Sequence, residues 1–125
     1  MIPRLLQIHL EKAVTQYPVV TLMGPRQAGK TTLATTTFPD FSYANLEQPD
    51  LRELATLDPK AFLARFPAPA IFDEIQRVPE LLSWVQVEVD RRGGVGHYVI
   101  TGSNQPELGQ AVSQSLAGRT GLLTL

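Results

Sequence analysis

The run Gly24-Pro25-Arg26-Gln27-Ala28-Gly29-Lys30-Thr31 sets two glycines, a lysine and a hydroxyl at the spacing G-x-x-x-x-G-K-S/T. That combination suits one task, the holding of a phosphate chain. Glycines let successive backbone N–H groups curl around phosphate oxygens, and a helix starting at the lysine adds the positive end of its dipole. Lys30 would reach the outer phosphates and Thr31 would offer its hydroxyl to magnesium. Inside the loop, Arg26 is either solvated or in touch with an adjoining subunit. Thr32 closes the stretch, and its reading as an ordinary helix residue stands ahead of a role as a second ligand.

A magnesium–nucleotide site also needs an acid at the tip of a neighbouring strand, and Asp73-Glu74 follows the apolar run Ala70-Ile71-Phe72. Asp73 would hold the magnesium, largely through water. Glu74 would orient and activate the water that attacks the terminal phosphate. Taken alone, this pair reads as a solvated strand end; the phosphate loop upstream is what gives it chemistry. Downstream, Ser103 or Asn104 could sense the same phosphate or simply cap a helix. Arg119 is either a surface cation or an arginine donated across a subunit interface to the terminal phosphate.

These residues must be carried on strands and helices. Ile2, Leu5, Leu6, Leu10 and Ala13 recur at helical spacing and predict an amphipathic helix packed on the core, ending before Tyr17-Pro18. The run from Pro18 to Met23 predicts a strand stopping at Gly24, and the stretch from Gly29 to Thr37 a helix. Strand, loop and helix thus flank the phosphate motif in the required order. Further strands are expected over Phe41–Leu46, Ala70–Phe72, Tyr98–Thr101 and Thr120–Leu125. Helices are expected over Asp50–Arg65, interrupted at Asp58-Pro59, over Pro79–Arg92, closed by Gly93-Gly94, and over Gln105–Ala117. Within Pro79–Arg92, Trp84 reads as helix-face packing beside Leu81, Leu82 and Val85. Strands alternating with helices predict an α/β domain with a parallel sheet covered on both faces.

Composition excludes several alternatives. The 125 residues suffice for one domain with its own core, and 43% hydrophobic with 18% charged residues is ordinary globular usage. No cysteine is present, which removes disulfides, Cys-type zinc sites, iron–sulfur clusters and thiol catalysis. His9 and His97 lack metal-ligand spacing. Net charge is −1, so no chain-wide basic field holds nucleic acid or an anionic membrane. The charged start MIPRLLQIHLEKA does not read as a signal peptide, and no apolar run approaches membrane-spanning length. A cytoplasmic setting is the expectation.

The wording of the motifs carries a further signal. GPRQAGKTTL, IFDEIQRVPELL, YVITGSNQ and SLAGR, in that order, resemble the prokaryotic AAA-type ATPases usually found with a C-terminal domain of unknown function. The resemblance covers nearly the whole chain. It implies a three-layer P-loop NTPase core with a mainly five-stranded parallel sheet, occupying residues 1–125 as a single unit without the helical lid and C-terminal region of relatives. It implies ATP and Mg2+ as ligands, a Walker A loop over Gly24, Pro25, Arg26, Gln27, Ala28, Gly29, Lys30, Thr31 and Thr32, and Walker B acids at Asp73 and Glu74. It also implies a sensor-1 role for Ser103 and a trans-acting role for Arg119, with a homo-oligomer formed through that arginine. Lys12, Lys30 and Lys60 are the only lysines, and none lies in an N/T-K-x-D guanine motif. The expected activity is slow, magnesium-dependent hydrolysis of ATP to ADP and phosphate. A nucleotide-binding interaction module without useful turnover and a P-loop kinase remain as alternatives. Nucleic-acid and protein partners stay open.

Overall fold

The computed structural model describes residues 4–25 and 28–125. Ile2, Arg26 and Gln27 therefore lie outside the described residues. The elements run α1 (Arg4–Val14), β1 (Val19–Met23), α2 (Lys30–Thr37), β2 (Ser42–Asn45), α3 (Pro49–Leu57), α4 (Pro59–Arg65), β3 (Ala70–Asp73), α5 (Leu81–Arg92), β4 (Tyr98–Gly102), α6 (Pro106–Ser115) and β5 (Thr120–Thr124). A short 3-10 turn, Ile75–Arg77, lies between β3 and α5.

The five strands form one all-parallel sheet in the order β2-β3-β4-β1-β5. Every residue of β1, β3 and β4 is buried, as expected of central strands covered on both faces. Side chains alternate between the two faces with period two. Val20, Leu22, Ile71 and Val99 pack against Leu10 and Ala13 of α1 and Leu33 and Ala34 of α2. On the opposite face Val19, Met23, Phe72, Tyr98 and Ile100 meet α3 to α6 through residues such as Leu51, Phe62, Leu82, Val85 and Leu108. Helix, sheet and helix make the three layers.

Local chemistry sets the element ends. Asp58 closes α3 and caps α4, its carboxylate accepting the Ala61 N–H at 3.1 Å while Pro59 takes the first helical position. Gly93, at φ 68°, closes α5. Two expectations about packing need correction. Leu5 is 65% exposed, because the covered stripe of α1 runs through Leu6, Leu10 and Ala13, about 100° round the helix. Trp84 is not core: it stands on the outer side of α5 with the Lys60 ammonium 5.8 Å from its ring centroid, while Leu81, Leu82, Val85 and Val89 make the buried stripe.

Candidate functional site

The strand order fixes where chemistry can gather. β4 lies between β1, which feeds the glycine loop, and β3, which ends in Asp73, so the carboxyl ends of all three open onto one crevice. A cleft of about 360 Å3 there is lined by Gly29, Lys30, Thr31, Thr32, Tyr43, Asn45, Glu47, Asp73 and Glu74.

The loop is shaped as its residues dictate. Gly29 has φ 87°, a left-handed conformation suited to glycine, and a Cβ there would meet nothing within 4 Å among the described residues. The first turn of α2 has no side-chain cap at Gly29 and no acidic residue, which leaves the positive end of its dipole at the cleft wall without a neutralising carboxylate of its own. Lys30 is 4% exposed and donates to the carbonyl oxygens of Gly24 and Pro25, each at 2.8 Å. Its ammonium thereby spans the start of the loop. Thr32 is an exposed helix residue at the cleft wall.

Three hydroxyls converge on Asp73. Thr31 Oγ1 donates to Oδ2 at 2.7 Å, Tyr43 Oη donates to the same oxygen at 2.6 Å, and Thr101 Oγ1 donates to Oδ1. Partial burial, together with the hydrogen bond to Asp73 and the negative charges of Asp73, Glu74 and Glu47, pushes the Tyr43 phenol well above its ordinary value. It therefore stays a proton donor throughout the neutral range. Thr101 also accepts the Glu74 N–H at 3.0 Å.

Glu74 is the one non-glycine with positive φ among the described residues, at φ 62°. Such a conformation costs about 1–3 kcal/mol and persists only where surrounding contacts impose it. Here Thr101 holds its main chain, and Gln76 Nε2 donates to its carboxylate at 3.0 Å. The same Gln76 side chain accepts the Ser103 N–H at 3.2 Å, tying the acid to the end of β4.

The structure thus brings Gly29, Lys30, Thr31, Thr32, Asp73 and Glu74 to one cleft. Ser103 follows β4 at the same edge, but the hydroxyl resting on the acid is that of Thr101; Ser103 Oγ is buried without a partner among the described residues. Arg119 stands elsewhere. Its carbonyl accepts the Val19 N–H at the start of β1, the end of the sheet opposite the loop, and its guanidinium pairs with Asp90 through bonds of 2.8 and 2.9 Å. That pairing lowers the Asp90 pKa and raises that of Arg119. Arg119 therefore does not reach the cleft of its own chain.

Tyr43, Thr101 and Gln76 escaped the sequence reading. Pairing of Phe72 with Ile100, and of Asn45 with Asp73, sets Thr101, Asp73, Tyr43 and Asn45 on the face toward α2. The available signal was polar residues at strand ends on an otherwise apolar face, usable only once the strand order is known.

A protein-family profile described as an AAA domain matches residues 16–125. Two curated relatives, uncharacterized protein Rv2008c of Mycobacterium tuberculosis and uncharacterized protein Mb2031c of Mycobacterium bovis, are each 39% identical over 119 residues, covering 93% of this chain. The chain spans 26% of the length of these relatives. Among the described residues no helix is long and apolar enough to cross a membrane.

Proposed function

The chain belongs to the AAA domain family, and from that premise we propose that it is the ATP-binding core of an AAA-type ATPase, hydrolysing ATP to ADP and phosphate with magnesium. One observation carries the reading: the 2.7 Å hydrogen bond from Thr31 to Asp73, which joins the first turn after the glycine loop to the acid of a strand 42 residues on. The donor set suits magnesium, since a hydroxyl and a carboxylate are hard oxygen ligands and the open cleft leaves room for the waters this ion retains. The open space beside Gly29 suits a phosphate oxygen.

Thr31 and Asp73 would hold the metal, which when bound offsets negative charge on the phosphate oxygens. The N–H groups opening α2 bind the phosphate chain, and Lys30 turns from its loop carbonyls to the outer phosphates. Glu74 takes a proton from the attacking water, with Gln76 fixing its carboxylate and Thr101 its main chain. Ser103, tied to Gln76, is assigned the sensing of the terminal phosphate.

The roles of the acids separate experimentally. Asp73→Asn should reduce the gain in ATP affinity conferred by magnesium about tenfold or more, the scale of a lost hydrogen bond to charge, and leave affinity in EDTA unchanged. Titration calorimetry with and without magnesium measures both; equal losses in the two conditions would count against Asp73 as the metal's acid.

Arg119 is proposed to act in trans, on the cleft of a neighbouring copy, after release from Asp90. Hydrolysis per chain should then rise with protein concentration, and Arg119→Ala should flatten that rise without changing ATP affinity. A rate independent of concentration and indifferent to Arg119→Ala would leave a monomeric nucleotide binder, the second reading, which the Arg119–Asp90 pair within one chain favours.

A further inference from the structure

The Asp73 carboxylate is oriented by hydroxyls alone: among the described residues no ammonium or guanidinium pairs with it, and Lys30 is engaged by the carbonyls of Gly24 and Pro25. Two of its three partners have other work. Thr101 also accepts the Glu74 N–H, and Thr31 is the hydroxyl proposed to face the metal. Tyr43 Oη donates to Asp73 Oδ2 at 2.6 Å from β2, an edge strand of the sheet, and Tyr43 is 39% exposed. Without it, that side of the carboxylate would be open to water.

Register explains why a tyrosine is needed. Asn45, not Tyr43, is the partner of Asp73 across the two strands; Tyr43 lies opposite Ile71, two residues back on the same face. Two residues along a strand are about 6.6 Å, a gap that a phenol spans and a serine or threonine does not. The ring also turns about only two torsions, so its hydroxyl is held at little entropic cost.

From this geometry we propose that Tyr43 is a positioning residue of the magnesium site, its phenol holding Asp73 Oδ2 toward the Thr31 hydroxyl so that both oxygens face the metal together. The proposal rests on the magnesium–nucleotide reading above. It assigns β2 a part in ATP binding that neither the glycine loop nor the acid motif contains.

The test is calorimetric titration of ATP into the whole chain, wild type and Tyr43→Phe, in saturating magnesium and in EDTA. Tyr43→Phe keeps the ring and removes one hydrogen bond to a carboxylate. It should reduce the magnesium-dependent gain in ATP affinity about tenfold and leave affinity in EDTA at the wild-type value. Half-saturation by magnesium should move up by the same factor. In an Asp73→Asn background the same change should have less than about a twofold effect, because the charged acceptor is already gone. An undiminished magnesium gain in Tyr43→Phe would overturn the proposal. So would equal losses with and without magnesium, which mark ring packing, or an undiminished effect beside Asp73→Asn. If the wild-type chain binds ATP with no gain from magnesium, the magnesium reading itself fails and the Tyr43 role falls with it.

Discussion

Glu74→Gln is expected to lower phosphate release about a hundred- to ten-thousand-fold, the usual contribution of a general base, while magnesium–ATP affinity stays at the wild-type value. The substitution changes little besides basicity. An amide oxygen can still accept from Gln76 Nε2, and the main-chain bond to Thr101 does not involve the side chain. The left-handed backbone at residue 74 is likewise imposed by its surroundings, so the variant should fold as the wild type does. Single-turnover phosphate release, set beside calorimetry, separates chemistry from binding. Asp73→Asn should show the opposite pattern, with loss in magnesium-dependent affinity first. If the two variants behave alike in both assays, the division of labour between these neighbours is wrong.

Lys30→Ala is expected to weaken ATP binding about ten- to a hundred-fold, because each charge-assisted hydrogen bond to phosphate contributes roughly 1.5–3 kcal/mol. Part of that loss comes from the loop. The ammonium bridges the carbonyl oxygens of Gly24 and Pro25 at 2.8 Å, so its removal leaves the loop less ordered before any ligand arrives. Melting of the ligand-free variant reports that part, and titration reports the whole. Unchanged affinity in a folded Lys30→Ala chain would remove the phosphate-loop assignment.

The motifs were legible because their chemistry is local. A glycine loop between a strand and a helix needs no distant residue to be recognised, and Asp58-Pro59 breaks one helix and caps the next within a few residues. The alternation of strands and helices likewise predicted the parallel, two-sided sheet. What pattern alone could not supply was the order of strands. Thr101 reads as one more residue of a buried strand until β4 is known to lie beside β3, where its hydroxyl meets Asp73. Tyr43 reads as a half-exposed strand residue until the register of β2 is known. Amphipathic periodicity has a similar blind spot: it locates an apolar sector but not the stripe that is covered, which is why Leu5 and Trp84 lie outside the core. The left-handed backbone of Glu74, a residue the acid motif does announce, escaped for another reason, since nothing in residue type signals that conformation at a glutamate.

Whether the cleft beside Lys30, Thr31 and Asp73 binds magnesium–ATP is decided by thermal melting of the whole chain with increasing magnesium–ATP. A ligand bound only to the folded state at a hundred times its Kd adds about 2.7 kcal/mol of stability, and for a chain of this size that raises Tm by about ten degrees. That shift is expected for the wild type, with a smaller one in EDTA and a shift cut to about half or less for Lys30→Ala at the same ligand concentration. A wild-type chain that melts at one temperature across the whole titration, or a Lys30→Ala chain that shifts as far as the wild type, would contradict binding at this cleft.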